Sequence, residues 1–510
     1  MVGLSLPRAA MELGLLVVGT GVCVISLSAY RVWSTTTPTE GVTRLLQEVQ
    51  EVLLPTRLHK DLLPLDSSDV WGTTLAALGL MIAASGGIGG GGMLVPLFIL
   101  VMGFHPKNAI ALSNFTIVGS SVTNIIMNLS KRHPDADRPL VDWDLILVME
   151  PLTMAGAISG AFASKLLPDW LLTIMLVILL AFTTYETLKK GTSQFAKETR
   201  AFEDQRKSIL RQTEESEMEL VAMAESVGLL KGGRIGDGSR EEEGEDGEGE
   251  VGVEERGVRS GSASASTPEE RELAELLEVE RYTPQDKAAL LSGMVLAVVV
   301  LNLIKGGGAA FPSPLGFACG STAYWSVQAL VMVIVLGVSV HMRSVLVDKW
   351  RLKQRLRYPY VPGDVEWNER NTVVYPCICF FAGIFAGMFG VGGGIVKGPL
   401  MLQMGVHPLV TSATVAVMIM FTSVAATAMF MAFGTLKWDY AAYFFVVGLA
   451  ATAVGQYGVS YLVEKYKRNS LVTLSIGAVV LISTLLMGLQ SIFAIIDAEE
   501  NAQPAATVCS

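Results

Sequence analysis

Long apolar runs alternate with shorter polar segments along most of this chain, and each run has roughly the 20 residues that a membrane-spanning helix needs. They cover residues 71–103, 107–129, 143–166 and 169–188 and, after a long polar gap, 288–304, 323–342, 373–404, 409–433, 439–462 and 470–493. This pattern predicts an all-α polytopic protein that crosses a membrane many times. Which membrane it occupies stays open.

Glycine interrupts two of these runs. Residues 86–92 read Gly-Gly-Ile-Gly-Gly-Gly-Gly, and residues 390–394 read Gly-Val-Gly-Gly-Gly. Glycine is about 0.5–1 kcal/mol less favourable than alanine inside a helix, so both runs predict unwound backbone. Such backbone at membrane depth is tolerated where protein buries it or where it lines a wet cavity. The helix that restarts after each break would point N–H donors at that cavity, which suits an anion. Close helix packing is the alternative.

The two breaks belong to an internal duplication. Each is followed by a proline, a Gly-x-His-Pro turn (residues 103–106 and 405–408) and a Trp-Asp pair (residues 143–144 and 438–439). We interpret the histidines as parts of helix-start turns, and the Trp-Asp pairs as interfacial tryptophans with helix-capping aspartates. The chain therefore has two multi-helix repeats, each with a glycine-broken helix, and such paired breaks indicate a transporter's binding site. Six crossings would make the repeats parallel, whereas a re-entrant hairpin at one break and not at the other would make them inverted.

Composition adds one large hydrophilic segment to this picture. The chain is 51% hydrophobic and 17% charged, and most of its net charge of −10 lies in residues 191–286. We predict a disordered acidic linker there, acting as a solvated tether or as a regulatory loop, with a charged surface helix within residues 203–227. Basic residues at 131–132, 189–190 and 343–357 predict cytoplasmic loops, which places the linker in the cytosol.

These features divide the chain into seven parts. They are residues 1–70, an N-terminal signal or anchor with a soluble prelude; 71–190, the first transmembrane repeat; 191–286, the linker; 287–345, connecting transmembrane helices; 346–371, a basic cytoplasmic loop; 372–493, the second transmembrane repeat; and 494–510, a C-terminal tail. The apolar residues 13–29 fit either a first helix or a secretory signal peptide.

The candidate substrate site combines the backbone of both breaks with hydroxyls and amides of the span that follows each. The residues are Gly89, Gly90, Gly91, Gly92, Ser113, Asn114, Ser120 and Ser121 in the first repeat, and Gly392, Gly393, Gly394, Thr414, Thr422 and Ser423 in the second. Singly, each hydroxyl is expected to bond its own or a neighbouring helix. As two sets that follow two breaks, some are expected to line the site.

Two charged residues, Glu150 and Lys397, lie well inside apolar runs. A charge near the bilayer centre costs from about 2.5 kcal/mol upward, so a functional role is the default expectation. Lys397 would neutralise an anion, and Glu150 would bind a coupling proton. Leu94 takes the place of Lys397 in the first repeat, so the site would be asymmetric. Snorkelling or structural pairing is the alternative for each residue.

The duplicated Gly-x-Gly-Gly-Gly segments leading to proline, with Ser/Thr-rich spans after them, resemble the sulfite exporter TauE/SafE family of membrane permeases. The long N-terminal extension, the long central loop and residues 316–321 (Gly-Phe-Ala-Cys-Gly-Ser) before Tyr324 and Trp325 are similar to its plant and algal branch. The resemblance runs from about residue 71 to residue 493 without the linker. It implies transport of sulfite, organosulfonates or related small anions. Lys397 and the acidic linker depart from the family pattern.

We therefore predict a secondary transporter of small sulfur-containing anions rather than an enzyme, since the chain has no phosphate loop and no nucleophile elbow. Its expected partners are a small anionic substrate and the lipid bilayer, without nucleic acid, metal or cofactor; the oligomeric state stays open. The alternative is a membrane scaffold or receptor-like protein that recruits cytosolic partners through its linker. Deleting residues 195–280 would leave flux intact in a transporter and would abolish the function of a scaffold.

Overall fold

The structure is a computed structural model that describes residues 61–86, 90–134, 136–231, 268–306, 312–361, 363–466 and 470–500. Its named elements in these ranges are all helices, which confirms the all-α prediction. They are α1 Ser67–Gly86, α2 Gly91–Leu100, α3 Pro106–Leu129, α4 Trp143–Leu166, α5 Asp169–Lys231, α6 Pro268–Glu280, α7 Gln285–Lys305, α8 Thr322–Arg355, α9 Asn371–Phe389, α10 Gly394–Gln403, α11 Pro408–Ala432, α12 Trp438–Tyr466 and α13 Ser470–Glu500. Eight described helices (α3, α4, α5, α7, α8, α9, α11 and α12) are long and apolar enough to cross a membrane.

Each glycine break is the tip of a helical hairpin. In the first hairpin α1 and α2 run antiparallel, because Gly72 faces Met102 while Gly79, two turns further on, faces Met93. The chain therefore returns to the end from which it came. In the second hairpin α9 begins just after Glu369, and α10 leads to His407, which packs on Gly363. Both arms of that hairpin thus end beside the loop that precedes α9.

The two hairpins enter the bundle from opposite ends. We call the end that carries the C-terminus of α8 the basic end; there Lys349 pairs with Asp144 at the start of α4, and Arg351 pairs with Glu369 just before α9. Because α4 starts at the basic end, the start of α5, which follows α4, lies at the opposite end, which we call the far end. There His105, just before α3, pairs with Asp169 at the start of α5. Hence α3 starts at the far end.

The corresponding helix α11 starts at the basic end, where the His407 ring lies 6.1 Å from that of His133. Helices α3 and α11, each of which follows one hairpin, therefore run in opposite directions. The sequence left parallel and inverted arrangements open, and these contacts favour an inverted one. Both breaks form hairpins, however, and not one alone as the inverted alternative assumed. The helices α3, α4, α5, α7 and α8 separate the two hairpins, and an odd number of crossings reverses the direction.

Each hairpin contacts, through glycines, a helix that follows the other hairpin: α4 contacts the second hairpin, and α12 contacts the first. A Cβ on Gly156 of α4 would lie 2.0 Å from the carbonyl oxygen of Phe380 in α9, and a Cβ on Gly383 of α9 would lie 2.0 Å from that of Thr153. On the other side, a Cβ on Gly455 of α12 would lie 2.4 Å from the carbonyl oxygen of Met81 in α1. Small residues here allow the backbones to touch, which drives helix association in membranes.

Helices cover most of the described residues of the predicted linker, while residues 232–267 lie outside the described ranges. Helix α5 continues to Lys231 and includes the charged helix expected within residues 203–227, and α6 covers Pro268–Glu280. The Glu, Lys, Arg and Gln residues that lower the hydropathy of this segment are good helix formers. A polar segment of this composition cannot form a hydrophobic core, but it can form a helix. The signal or anchor region 1–60, the acidic run 240–250 and the end of the tail, 501–510, lie outside the described residues.

Candidate functional site

Both hairpin tips have the same backbone geometry. Gly90 precedes α2 with φ 72°, and Gly393 precedes α10 with φ 74°, so both occupy the left-handed region that glycine adopts without strain. Each is followed by a helix of 10 residues with proline at its sixth position. Gly90–Gly92 and Gly392–Gly394 are buried, while Gly89 lies outside the described residues.

The two tips touch each other at the centre of the bundle. A Cβ on Gly91 would lie 2.6 Å from Cα of Val391, so the two chains approach backbone to backbone. Ser113 of α3 supports this contact by donating its hydroxyl to the carbonyl oxygen of Gly390 at 2.8 Å. That carbonyl lies at the end of α9, where no backbone donor follows within the helix.

Lys397 and Glu150, which the sequence treats separately, form one fully buried ion pair. The Lys397 Nζ lies 2.8 Å from Glu150 Oε2, and both side chains are 0% exposed. Lys397 also donates to Thr422 Oγ1 at 2.7 Å, and this hydroxyl lies 2.6 Å from Glu150 Oε1 and 3.0 Å from the Met418 carbonyl oxygen. The cluster joins α10, α4 and α11.

The position of Lys397 explains why it needs this partner. It lies in the first turn of α10, where the helix dipole is already positive, so Glu150 compensates both the ammonium and the helix end. The pair as a whole is neutral. Protonation of Glu150 would leave Lys397 with an unbalanced charge, and that charge could then attract an anion.

The other predicted residues have mixed placements. Ser120 bonds Thr452 of α12 at 2.7 Å, and Thr414 accepts from the backbone N–H of Asp142 at 3.0 Å. These two hydroxyls therefore tie helices together. Ser121 is buried, and Asn114 donates to the Ile110 carbonyl oxygen of its own helix. Within the described ranges, Asn114 Oδ1 and the Ser423 hydroxyl are buried without a hydrogen-bond partner. The Ser423 hydroxyl can donate to an anion, whereas Asn114 Oδ1 can only accept a hydrogen bond.

Sequence reasoning missed two buried polar residues. Gln456 of α12 donates to the Ala84 carbonyl oxygen near the end of α1 and to Asn124, each at 2.8 Å, and so supports the first hairpin. Its amide inside an apolar run was the available signal. Lys305 ends an apolar run, a place where lysine is expected to reach the membrane surface, yet it is 1% exposed.

The paired histidines and aspartates complete the comparison with the sequence. His105 and His407 immediately precede the first residues of α3 and α11, as the turn interpretation predicts. Asp142, rather than Asp144, caps α4 by accepting from two backbone N–H groups. The capping role expected of Asp144 is therefore wrong, because Asp144 turns instead toward Lys287 and Lys349.

A charged cavity of about 140 Å³ lies at the basic end between α4, α6 and α8. Glu280, the last residue of α6, pairs there with Lys349 at 2.7 Å and with Lys353 at 2.9 Å. Burial alone would raise the pKa of Glu280, but the two ammonium groups outweigh it and lower this pKa to about 2. The linker's last described helix is thus fixed to the end of α8.

Comparisons with known proteins agree on one family. The sequence profile described as Sulfite exporter TauE/SafE matches residues 5–233 and 288–487. Sulfite exporter TauE/SafE family protein 3 of Arabidopsis thaliana is 28% identical over 419 residues, which cover 82% of this chain and 78% of the relative. Family protein 2 of the same plant is 27% identical over 458 residues, 88% of each chain. No solved structure matches this chain significantly.

Proposed function

This chain belongs to the sulfite exporter TauE/SafE family of membrane transporters, and we propose that it is a secondary carrier of a small sulfur-containing anion such as sulfite or an organosulfonate. The two Arabidopsis thaliana relatives are named as sulfite exporter family proteins. The comparisons give no support to the scaffold alternative. Like its family, the chain is a transporter rather than an enzyme.

The observation that carries the proposal is the meeting of two oppositely oriented hairpins at their glycine tips. Inverted repeats with broken helices form substrate sites in many secondary transporters, because half-helix N-termini offer unpaired N–H groups to an anion. Here α2 and α10 both begin at the tips. The proposed site lies between Gly90–Gly92 and Gly392–Gly394, with Ser113, Asn114 and Ser423 beside it. Separation of the tips would admit the anion from one end at a time.

Coupling is proposed to depend on Glu150. An anion that enters a cell against an inside-negative potential works against about 2.3 kcal/mol per charge per 100 mV. Import therefore needs a co-transported proton or cation, whereas export runs downhill. A proton on Glu150 would release Lys397 to balance the anion, because the two side chains otherwise neutralise each other at 2.8 Å.

Flux measurements in liposomes test the proposal. The purified full chain should move sulfite or a sulfonate across the bilayer, and movement of a cation without any small anion would refute the function. Gly393→Leu should abolish the flux for two reasons. The backbone at this position has φ +74°, which strains any residue with a side chain, and an added Cβ would lie 3.3 Å from the Ala386 Cβ. Gly398→Leu, five residues further on within α10, is the matched control, because nothing lies within 4 Å of its Cβ position. Both variants should insert normally.

A further inference from the structure

Lys305 is a second buried cation, and its surroundings differ from those of Lys397. It ends α7 at the far end of the bundle and is 1% exposed. Its Nζ donates to Gln328 Oε1 at 2.6 Å and to Asn302 Oδ1 at 3.2 Å. The rings of Phe162 and Tyr324 lie 4.8 Å and 5.0 Å from the ammonium. All of these partners are neutral.

The third contact of the ammonium is weak. Its acceptor is the thioether sulfur of Met429 at 3.8 Å, and sulfur accepts hydrogen bonds poorly. No carboxylate of the described residues forms an ion pair with Lys305. The residues that follow, 307–311, read Gly-Gly-Ala-Ala-Phe and hold no carboxylate either. A buried ammonium without a counter-charge is unfavourable. An anion bound here would supply the missing negative charge.

Two further donors in the same cluster have no partner. Gln328 Nε2 and the Tyr324 hydroxyl are buried without a hydrogen bond among the described residues. The two residues lie one turn apart on α8, on the face that contacts Lys305. An oxyanion accepts several hydrogen bonds at once, so it would satisfy the ammonium and both idle donors. Met429 has a flexible side chain that could give way to it.

A purely structural role explains only part of this arrangement. A lysine in the last turn of α7 stabilises the helix dipole, and the two rings stabilise its charge through cation–π contacts. Neither effect accounts for two further buried donors left without partners beside it. An uncompensated ionisable group in a membrane segment is by default a candidate functional site.

We propose that the Lys305 cluster, formed by Lys305, Asn302, Gln328, Tyr324 and Met429, binds a small inorganic oxyanion at the far end of the bundle. The site is separate from the glycine tips, because α7 and α8 supply most of its groups and neither helix belongs to a hairpin. The Lys397 pair has its own carboxylate, so the Lys305 cluster provides the unbalanced positive charge of the described helical bundle's interior. The inference does not depend on where the transported anion binds between the tips.

Anion-dependent thermal stabilisation of the full chain in detergent tests this site without requiring transport. Sodium sulfite, sulfate or chloride replaces sodium gluconate at constant ionic strength, and the unfolding temperature is followed by tryptophan fluorescence. Sulfite or sulfate should raise it for the wild type, whereas chloride, which is not an oxyanion, should not. Lys305→Gln should weaken the apparent affinity for that oxyanion by about 10- to 100-fold, the usual contribution of one charge-assisted hydrogen bond. Lys305→Arg should retain the effect.

Gln328→Glu provides a second variant that does not remove the cation. It places a carboxylate beside Lys305, which should abolish the anion effect while the folded protein remains at least as stable as the wild type. The exposed Lys437→Gln is the control and should behave as the wild type. An unchanged affinity in both folded cluster variants, or no response of the wild type to either sulfite or sulfate, would overturn the proposal. Absence of sulfite flux, by contrast, would count against the proposed function alone.

Discussion

Removing one charge of the buried pair, by Glu150→Gln, should destabilise the protein far more than removing both. The two charged atoms lie 2.8 Å apart in side chains that are 0% exposed. At an effective dielectric constant of about 20, their attraction amounts to about 6 kcal/mol. Desolvation offsets part of this, and breaking a buried pair from one side usually costs about 3–5 kcal/mol. In Glu150→Gln, Lys397 would keep only neutral acceptors, among them Thr422 at 2.7 Å.

A double-mutant cycle measures this dependence. Glu150→Gln and Lys397→Met should each lower the free energy of unfolding by about 3–5 kcal/mol, whereas the double variant should stay within about 1–2 kcal/mol of the wild type. Thr422→Val is the matched control, since it keeps both charges and loses only hydrogen bonds, for about 1–3 kcal/mol. Reversible unfolding in a detergent titration provides the free energies. Additive single effects would refute the reasoning, because side chains that do not interact show no coupling.

The same variant tests the coupling role of Glu150. In pH-clamped vesicles, Glu150→Gln should flatten the pH dependence of net anion uptake while exchange of substrate across the membrane continues. The reason is that the neutral amide does not titrate, so Lys397 lacks its counter-charge at every pH. A wild-type pH dependence in this variant would remove Glu150 from the coupling mechanism and leave the backbone donors of the tips and Lys397 to handle the charge of the anion.

Two further predictions concern the hairpin tips and the basic end. Gly91→Ala should reduce flux strongly and lower the unfolding temperature, because its Cβ would lie 2.6 Å from the Val391 backbone. Gly398→Ala, the control, should be neutral or slightly stabilising. Equal behaviour of the two variants would contradict the contact between the tips. Since the pKa of Glu280 is lowered from 4.5 to about 2, its ion pairs should hold α6 in place above about pH 4.5 and release it as the pH falls toward 2. Glu280→Gln should make α6 sensitive to proteases already at neutral pH, at a cost of about 3 kcal/mol of docking free energy, while Glu272→Gln, whose pair with Arg355 is exposed, should not.

The sequence by itself determined the helices and the places where they break. Apolar run lengths reflect the thickness of a bilayer, and glycine runs destabilise a helix locally, so both features can be read without knowing any partner. Some predicted spans match the helix bounds, for example residues 143–166 and Trp143–Leu166, whereas α5 and α8 continue well beyond the spans predicted for them. The family resemblance rested on the same local motifs and is confirmed by the comparison.

Only the tertiary structure decided how these pieces face each other. Glu150 and Lys397 are 247 residues apart, and nothing in either local pattern names the other as its partner. Lys305 directly follows a predicted span, and only the packing of α4, α8 and α11 around it shows that it is buried. The direction of the repeats followed from whether the chain turns back at each break. At an unwound glycine run the chain can either continue across the bundle or turn back. Contact of each hairpin with a helix that follows the other hairpin selects the turn. Since that contact joins residues far apart in the chain, the local sequence does not reveal it.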